Sequence, residues 1–419
     1  MSRCLPKFSW MLLTAVVAAQ APLPVAAAEA GSAMEECTIG VAAGRATEDG
    51  RPLLWKLRDA HKVDNVVLPL ADGKVPYFAL CDAGDAKAVW GGMNTAGFAI
   101  VNSVSRDLAQ GSDKGPANGA FMKLALQTCT TVAEFETLLQ STNDNGRRTR
   151  ANFAVIDAAG GAALFEAGHK TFTRFDADKD EAGVVVRTNF ATTAEGGRGK
   201  ERFARAAAIL KTPAAKALSP RFVLQQVLRD VQAPPSAQAG ERGRLDTRET
   251  ICRQTTVAAL VLHGVKAGED AKWATMWVVL GHPLFQVAMP LFPAAGAVPM
   301  AVAGDPKSSL CDLARRLREP FFVDGAPAEK PEGEEAEEAE QAGGLQWLRT
   351  DTMPVVRRSI LFAEAEVLAL HAEAVANWKQ ALGKPVPPAM RAFQEAMARR
   401  IGAQLKELVD AHAGVGSGK

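Results

Sequence analysis

The sequence predicts an α+β protein in which helices cover antiparallel sheets, and three observations carry that expectation. Short apolar runs recur between turn residues from Glu36 to Phe190 and again from Thr250 to Met289. Helical periodicity is confined to separate stretches, Phe121 to Gln140, Glu201 to Lys211, Ser219 to Val231 and Thr350 to His412. At 419 residues, 47% of them hydrophobic and 23% charged, the chain is long and apolar enough to bury a substantial core.

The stretch Glu36 to Ala60 reads as a hairpin that starts on a cysteine. Cys37 opens the first strand, and Ile39 and Val41 continue it. Asp49-Gly50 supplies the turn, since glycine tolerates the positive φ such turns demand. The return strand, Pro52 to Leu57, carries Lys56, Arg58 and Asp59 back toward the cysteine. A thiol, a cation and a carboxylate are thereby brought together. An ordinary cysteine titrates near about 8.5 and a buried one is usually inert. Cutting the peptide bond before Cys37 would free an α-amine with a pKa of about 7.7 to 8.0 on the nucleophile's own residue, where it can act as general base.

The upstream sequence makes that cut plausible. Residues 1–28 read as a signal peptide: Arg3 and Lys7 are its positive region, Phe8 to Ala19 its apolar core, and Ala26-Ala27-Ala28 its cleavage site. The apolar run is interrupted by Gln20, Pro22 and Pro24 and is short for a membrane span. An exported protein, periplasmic or extracellular, is therefore expected. Residues 29–36 would remain as a short propeptide. Signal peptidase requires a small residue before its cut, and Glu36 is not small. A second cleavage, by the chain itself or by a separate protease, must expose Cys37.

A net charge of +1 gives no ground for expecting a nucleic acid or an anionic membrane surface as partner. Among the six cysteines, Cys4 leaves with the signal. Cys81, Cys129, Cys252 and Cys311 allow up to two disulfides, with the pairing open, and a bridge to Cys37 is a further alternative. No CxxC pair is present, and His61, His169, His263, His282, His371 and His412 show no HxxxH or HxH spacing. No metal and no cofactor are expected on that basis, which also disfavours a metal-dependent hydrolase.

Asn65 to Leu80 suggests one or two strands. In WGGMNTAGFAIVNSVS a glycine-rich turn precedes a strand, Phe98 to Val101, that ends on Asn102 and Ser103. Asn94 and Asn102 could each donate an amide hydrogen to a developing oxyanion. Turn chemistry explains Asn94 more simply, whereas Asn102 has no turn to explain it. The helix over Phe121 to Gln140 shows an interruption near Thr130-Thr131. Asn143 to Arg150 is a polar loop, and two strands flank the turn Asp157 to Gly161. The strand Gly183 to Phe190 carries Arg187-Thr188-Asn189 at its end. Arg202 falls in the first turn of the next helix, where a cation opposes the helix dipole. A specific ion-pair or substrate role there competes with that of a solvated charge. Thr250 to His263 and Ala274 to Met289 form a further hairpin.

The ordered set of Cys37-Thr38, the Asp49-Gly50 turn, Lys56 to Asp59, GGMNTAGFAIVNS, Arg187 to Asn189 and Glu201 to Phe203 resembles the N-terminal-nucleophile hydrolase superfamily. Within it the resemblance is to the branch of penicillin acyltransferases and linear-amide hydrolases, related to the choloylglycine hydrolases. It covers roughly Cys37 to Pro299 and implies a four-layer αββα sandwich of antiparallel sheets. The domain reading that follows is a catalytic domain over 37–325, an acidic linker over 326–345 and a helical C-terminal extension over 346–419. That extension is expected as an αα-hairpin packed on the main domain, with a partner-binding arm as the alternative.

The resemblance implies that Cys37 is nucleophile and base, that Asp59 holds the freed amine, and that Asn102 donates to the oxyanion. It further implies that Asn189 positions the amine or the substrate carbonyl, that Arg202 stabilises the site's charge, and that Lys56 stands where relatives have arginine. Lysine keeps the charge and loses the planar donor fork. Leu57 replaces an asparagine common in relatives. The implied partner is a small-molecule amide. The implied activity is hydrolysis of a linear amide through a Cys37 thioester. Transfer of the acyl group to an amine, or a non-catalytic secreted binding protein on the same fold, are the alternatives.

Overall fold

A computed structural model describes residues 36–111, 114–212, 217–233, 243–324, 346–381 and 386–413. β1 (Glu36–Ala42) pairs antiparallel with β2 (Leu53–Asp59), and the register sets Glu36 opposite Asp59, Cys37 opposite Arg58 and Ile39 opposite Lys56. The connection is wider than the tight two-residue turn expected. A 3-10 turn at Gly44–Ala46 comes first, and Asp49 then accepts the Arg51 N–H at 3.2 Å before Gly50 turns the chain at φ +74°. Gly40 lies opposite Trp55, and a Cβ there would sit 2.1 Å from the indole, so glycine lets Trp55 lie flat across β1.

The strands that follow are β3 (Asn65–Leu70), β4 (Tyr77–Asp82), β5 (Gly91–Asn94), β6 (Ala99–Val104), β7 (Ala151–Ile156), β8 (Ala162–Ala167) and β9 (Phe172–Asp176). They form a seven-stranded antiparallel sheet in chain order. Two corrections arise here. Gly91 to Asn94, read as a turn, is strand β5, and Asn102 lies inside β6 with Ser103 and Val104 beyond it. Side chains alternate across this sheet. In β4, Phe78 and Leu80 join the central core, while Tyr77, Ala79 and Cys81 join an outer cluster with Phe121, Phe135 and Leu139. That cluster is covered by α1 (Asn118–Thr128) and α2 (Val132–Ser141). They are split at Thr130-Thr131 because Thr131 and Glu134 form a reciprocal capping box.

The second large sheet has six strands in the order β10-β1-β2-β12-β13-β14, with β10 (Val184–Arg187), β12 (Thr256–His263), β13 (Thr275–Leu280) and β14 (Met289–Leu291). β1 and β2 lie against β6 and β7 of the first sheet. α3 (Lys200–Leu210) packs beside β10, and α4 (Ser309–Arg318) packs on β13. The layers thus run helix, sheet, sheet, helix, and the protein is α+β. A small third sheet joins β11 (Arg244–Asp246), β15 (Phe322–Asp324) and β16 (Gln346–Arg349).

Ser219 to Val231 holds less helix than its pattern suggests, a short turn at Pro220–Phe222 running into a π-turn at Val223–Val227. At the C-terminal end, α5 (Met353–Gln380) and α6 (Val386–His412) enter the same core through Ile360, Val367, Met390, Ile401 and Leu405. Glu364 of α5, fully buried, accepts both guanidinium Nη groups of Arg229 at 2.8 and 2.6 Å, and the Ala288 N–H at 3.0 Å. Among the described residues no helix is long and apolar enough to cross a membrane. The expected signal peptide, propeptide residues 29–35 and the linker over 326–345 lie outside the described residues.

Candidate active site

Cys37 lies at the head of β1, next to the sheet edge strand β10, and is 1% exposed. Its backbone N–H donates to Asn189 Oδ1 at 3.0 Å. In the intact chain this nitrogen belongs to the Glu36–Cys37 peptide bond and carries one hydrogen. The Asn189 carboxamide is fixed at both ends: Oδ1 also accepts from Arg202 Nη2 at 2.8 Å, and Nδ2 donates to the Val104 carbonyl at 2.9 Å. Two donors facing one end and a carbonyl facing the other determine which end is oxygen. The segment carrying Asn189 is tied to the first sheet by Asn152, whose Nδ2 donates to the Thr188 and Phe190 carbonyls at 3.2 and 3.0 Å.

Arg202 is fully buried in the first turn of α3. Its Nη1 donates to the Cys37 carbonyl at 3.0 Å and the Thr38 hydroxyl at 3.2 Å, while Nη2 reaches Glu36 Oε2 at 2.8 Å as well as Asn189. These acceptors offset the unfavourable placement of a cation at a helix N-terminus. Gly199 before the helix has φ +78°, and a Cβ on it would approach Arg202 Nη2 to 2.4 Å. Only glycine meets both demands.

Lys56 and Asn102 meet across the two sheets. Lys56 lies opposite Ile39, two residues along from Cys37, and direct partners in an antiparallel pair share a face, so it stands on the thiol's face of the sheet. Its Nζ donates to Asn102 Oδ1 at 2.7 Å, and both residues are 1% exposed. Asn102 Nδ2 is buried and has no hydrogen-bond partner among the described residues. Asn94, by contrast, spends its Nδ2 on the Leu126 and Cys129 carbonyls at 3.1 and 2.8 Å and its Oδ1 on the Ala96 and Phe98 N–H groups, which makes it a turn and helix anchor.

Asp59 accepts the Thr256 hydroxyl at 2.6 Å and has Arg253 Nη1 at 3.8 Å. Burial pushes its carboxyl up to about 6, against the pull of Arg253, Arg202 and Thr256. Glu36 sits beside it. Burial opposes ionisation of Glu36, but the Arg253, Arg202 and Arg198 guanidiniums outweigh that and hold its carboxyl below the usual range. Arg253 Nη1 hydrogen-bonds Glu36 Oε2 directly. Arg58, opposite Cys37, is 4.3 Å from the centre of the Trp90 ring and pairs with Asp82 at 3.0 Å.

Cys37, Asp59, Asn189 and Arg202 are therefore gathered at one end of β1, with the Lys56–Asn102 pair on the thiol's face. Sequence reading missed Glu36, Arg253, Thr256 and Asn152. Arg253 and Thr256 lie in the run ICRQTTVAALVLHG, whose resemblance was visible but whose polar residues carried no spacing signal. Cys81, Cys129, Cys252 and Cys311 are free, buried thiols, so the disulfides allowed by the count are not formed among them. Burial pushes Cys81 up to about 12 and Cys129 and Cys311 up to about 11. Among the described residues no group of three or more His, Cys, Asp or Glu side chains could hold a metal ion.

Residues 74–215 match the family model of acyl-coenzyme A:6-aminopenicillanic acid acyl-transferase. No curated protein matches the chain. Solved structures similar to it include a mutant of conjugated bile acid hydrolase from Clostridium perfringens, at 14% identity and a TM-score of 0.37 over 58% of this chain and 89% of that one. A Caenorhabditis elegans ortholog of N-acylethanolamine-hydrolyzing acid amidase is 13% identical with a TM-score of 0.37, over 58% of this chain and 100% of the other. Penicillin V acylase from Agrobacterium tumefaciens is 16% identical with a TM-score of 0.36, over 61% and 86%.

Proposed function

We propose, from a chain whose residues 74–215 carry the sequence pattern of the acyl-transferase family, that the protein is an exported amidohydrolase of linear amide C–N bonds that acts through Cys37. The observation that carries the reading is the geometry at the head of β1. The Cys37 nitrogen is held by Asn189, Asn189 is held by Arg202, and Asn102 keeps a buried Nδ2 with no acceptor among the described residues.

Once the Glu36–Cys37 bond is cut, the Cys37 nitrogen becomes an amine with more hydrogens than the one Asn189 takes. Asp59 is the nearby carboxylate to receive another, which would orient the amine's lone pair toward its own thiol. The amine takes the thiol proton, and the sulfur attacks the amide carbonyl. Negative charge develops on the carbonyl oxygen, and Asn102 Nδ2, oriented by Lys56, donates to it; one such donor is typically worth about 100- to 1000-fold in rate. The C–N bond breaks, and the departing amine leaves with the proton from the Cys37 ammonium. Water then hydrolyses the thioester and restores the thiol.

The matched family is named for acyl transfer, so release to an amine acceptor in place of water is the second reading. Incubating processed protein with N-acyl amides and trapping the thioester by intact mass tests the first step. The expected result is an acyl adduct on wild type and none on Cys37→Ala. Adding a competing amine then separates the readings, because only a transferase yields the new amide as the main product. A processed protein that forms no adduct with any N-acyl amide, and no product, would contradict the proposal and favour a binding protein.

A further inference from the structure

The catalytic reading uses Cys37, Asp59, Asn102, Asn189, Arg202 and Lys56, and leaves Arg253 and Glu36 without a role. Glu36 is the residue whose carbonyl the thiol would attack in a self-cleavage, so a glutamyl group would be the first acyl group to reach the nucleophile. Its side-chain carboxylate is clamped by two buried guanidiniums. Arg202 Nη2 is 2.8 Å from Oε2, and Arg253 Nη1 contacts the same oxygen. Arg202 is fully buried and the Arg253 side chain is 12% exposed.

Maturation removes this anion and adds a basic amine. Among the described residues the other charges near the pair include Asp59, at 3.8 Å from Arg253, with Arg198 adding positive and Glu249 negative charge. Asp59 is then shared with the new α-amine, so two buried cations are left with less than their complement of negative charge. Buried guanidiniums in that state favour a planar anion that takes bidentate or paired hydrogen bonds.

We propose that Arg253, together with Arg202, forms a carboxylate-binding subsite in the matured enzyme, and that the preferred substrates are amides whose acyl half bears a carboxylate three carbons from the carbonyl carbon, as in a glutaryl or glutamyl amide. The spacing is that of Glu36 itself, whose carbonyl carbon and carboxylate are separated by Cα, Cβ and Cγ. The reaction balances as before. Sγ bonds the acyl carbon, the C–N bond breaks, the leaving amine takes a proton, and water releases a dicarboxylic acid and the thiol. The proposal rests on the Cys37 reading and on removal of Glu36.

The test uses glutarate and pentanoate, equal in chain length and differing in one carboxylate, at millimolar concentration. Mature wild type should show a Tm rise of about 2 °C or more with glutarate and none with pentanoate. The Cys37→Ala chain that retains Glu36 should respond to neither, because its own carboxylate fills the clamp. In kinetics, N-glutaryl-p-nitroanilide should exceed N-pentanoyl-p-nitroanilide in kcat/KM by about tenfold or more. Arg253→Gln should erase that preference mainly through KM, and Arg253→Lys should restore part of it. If Arg253→Gln does not fold, the comparison of mature and Glu36-retaining chains decides alone. N-terminal sequencing separates the two failures. A chain that starts at Cys37 yet gains nothing from glutarate overturns this inference alone, whereas a chain that never exposes Cys37 overturns the Cys37 reading and this inference with it.

Discussion

At Asn102 and Asp59 burial opposes the role proposed for each. A buried amide donor with no acceptor costs stability in the resting fold, and among the described residues Asn102 Nδ2 has no acceptor while Lys56 occupies its other end. Asn102→Ala is expected to lower kcat by about 100- to 1000-fold with KM little changed, read from steady-state kinetics of the processed protein. Asp59 makes a separate prediction. Its pKa of about 6 in the fold lies above the value of about 3.9 in an unfolded chain, so between these values the folded state holds a proton that the unfolded state has lost. Stability from this residue is therefore fully present below about pH 4 and declines as pH rises toward about 6. In the Cys37→Ala background, Asp59→Asn should be more stable than its parent at pH 8, by up to about 3 kcal/mol, with the difference gone below about pH 4. Denaturant titrations at the two pH values check this, and an Asn variant less stable at pH 8 would count against a strained, functional carboxylate.

At the scale of elements, the strands that carry the site were legible where alternation and turn residues agreed. The β1–β2 hairpin, the α1–α2 break at Thr131 and the β7–β8 pair follow from such local signals. Gly91 to Asn94 misled because glycines that look like a turn are strand residues packed closely against β4. The pairing of Lys56 with Asn102 and the clamp on Glu36 were illegible for a different reason. They join residues 46 and 217 positions apart through the packing of two sheets and the placement of α3, which no local pattern encodes. The docking of α5 is another long-range bond of this kind. Glu364→Gln leaves Arg229 buried without its counterion and should destabilise the protein by about 3 to 5 kcal/mol in chemical denaturation. A loss under about 1 kcal/mol would mean that the ion pair does not hold α5 to the sheet.

For the molecule as a whole, the packing of the two sheets and α3 brings Asn189 and Arg202 onto the nitrogen and carbonyl of Cys37 at the head of β1. The αββα layering was reachable from the resemblance, and Cys37, Asp59, Asn189 and Arg202 lie near one another at the head of β1. The charge balance around Glu36 became visible only once that residue was placed between Arg202 and Arg253. Catalysis through Cys37, as proposed, requires one chemical event, the release of the Cys37 amine. Intact mass and N-terminal sequencing of the purified protein, wild type beside Cys37→Ala, test that event directly. The expected result is a wild-type chain that begins at Cys37 and a mutant that retains Glu36. Wild-type protein that keeps Glu36 attached would contradict the account, since the Cys37 nitrogen would remain an amide with no base to offer its thiol.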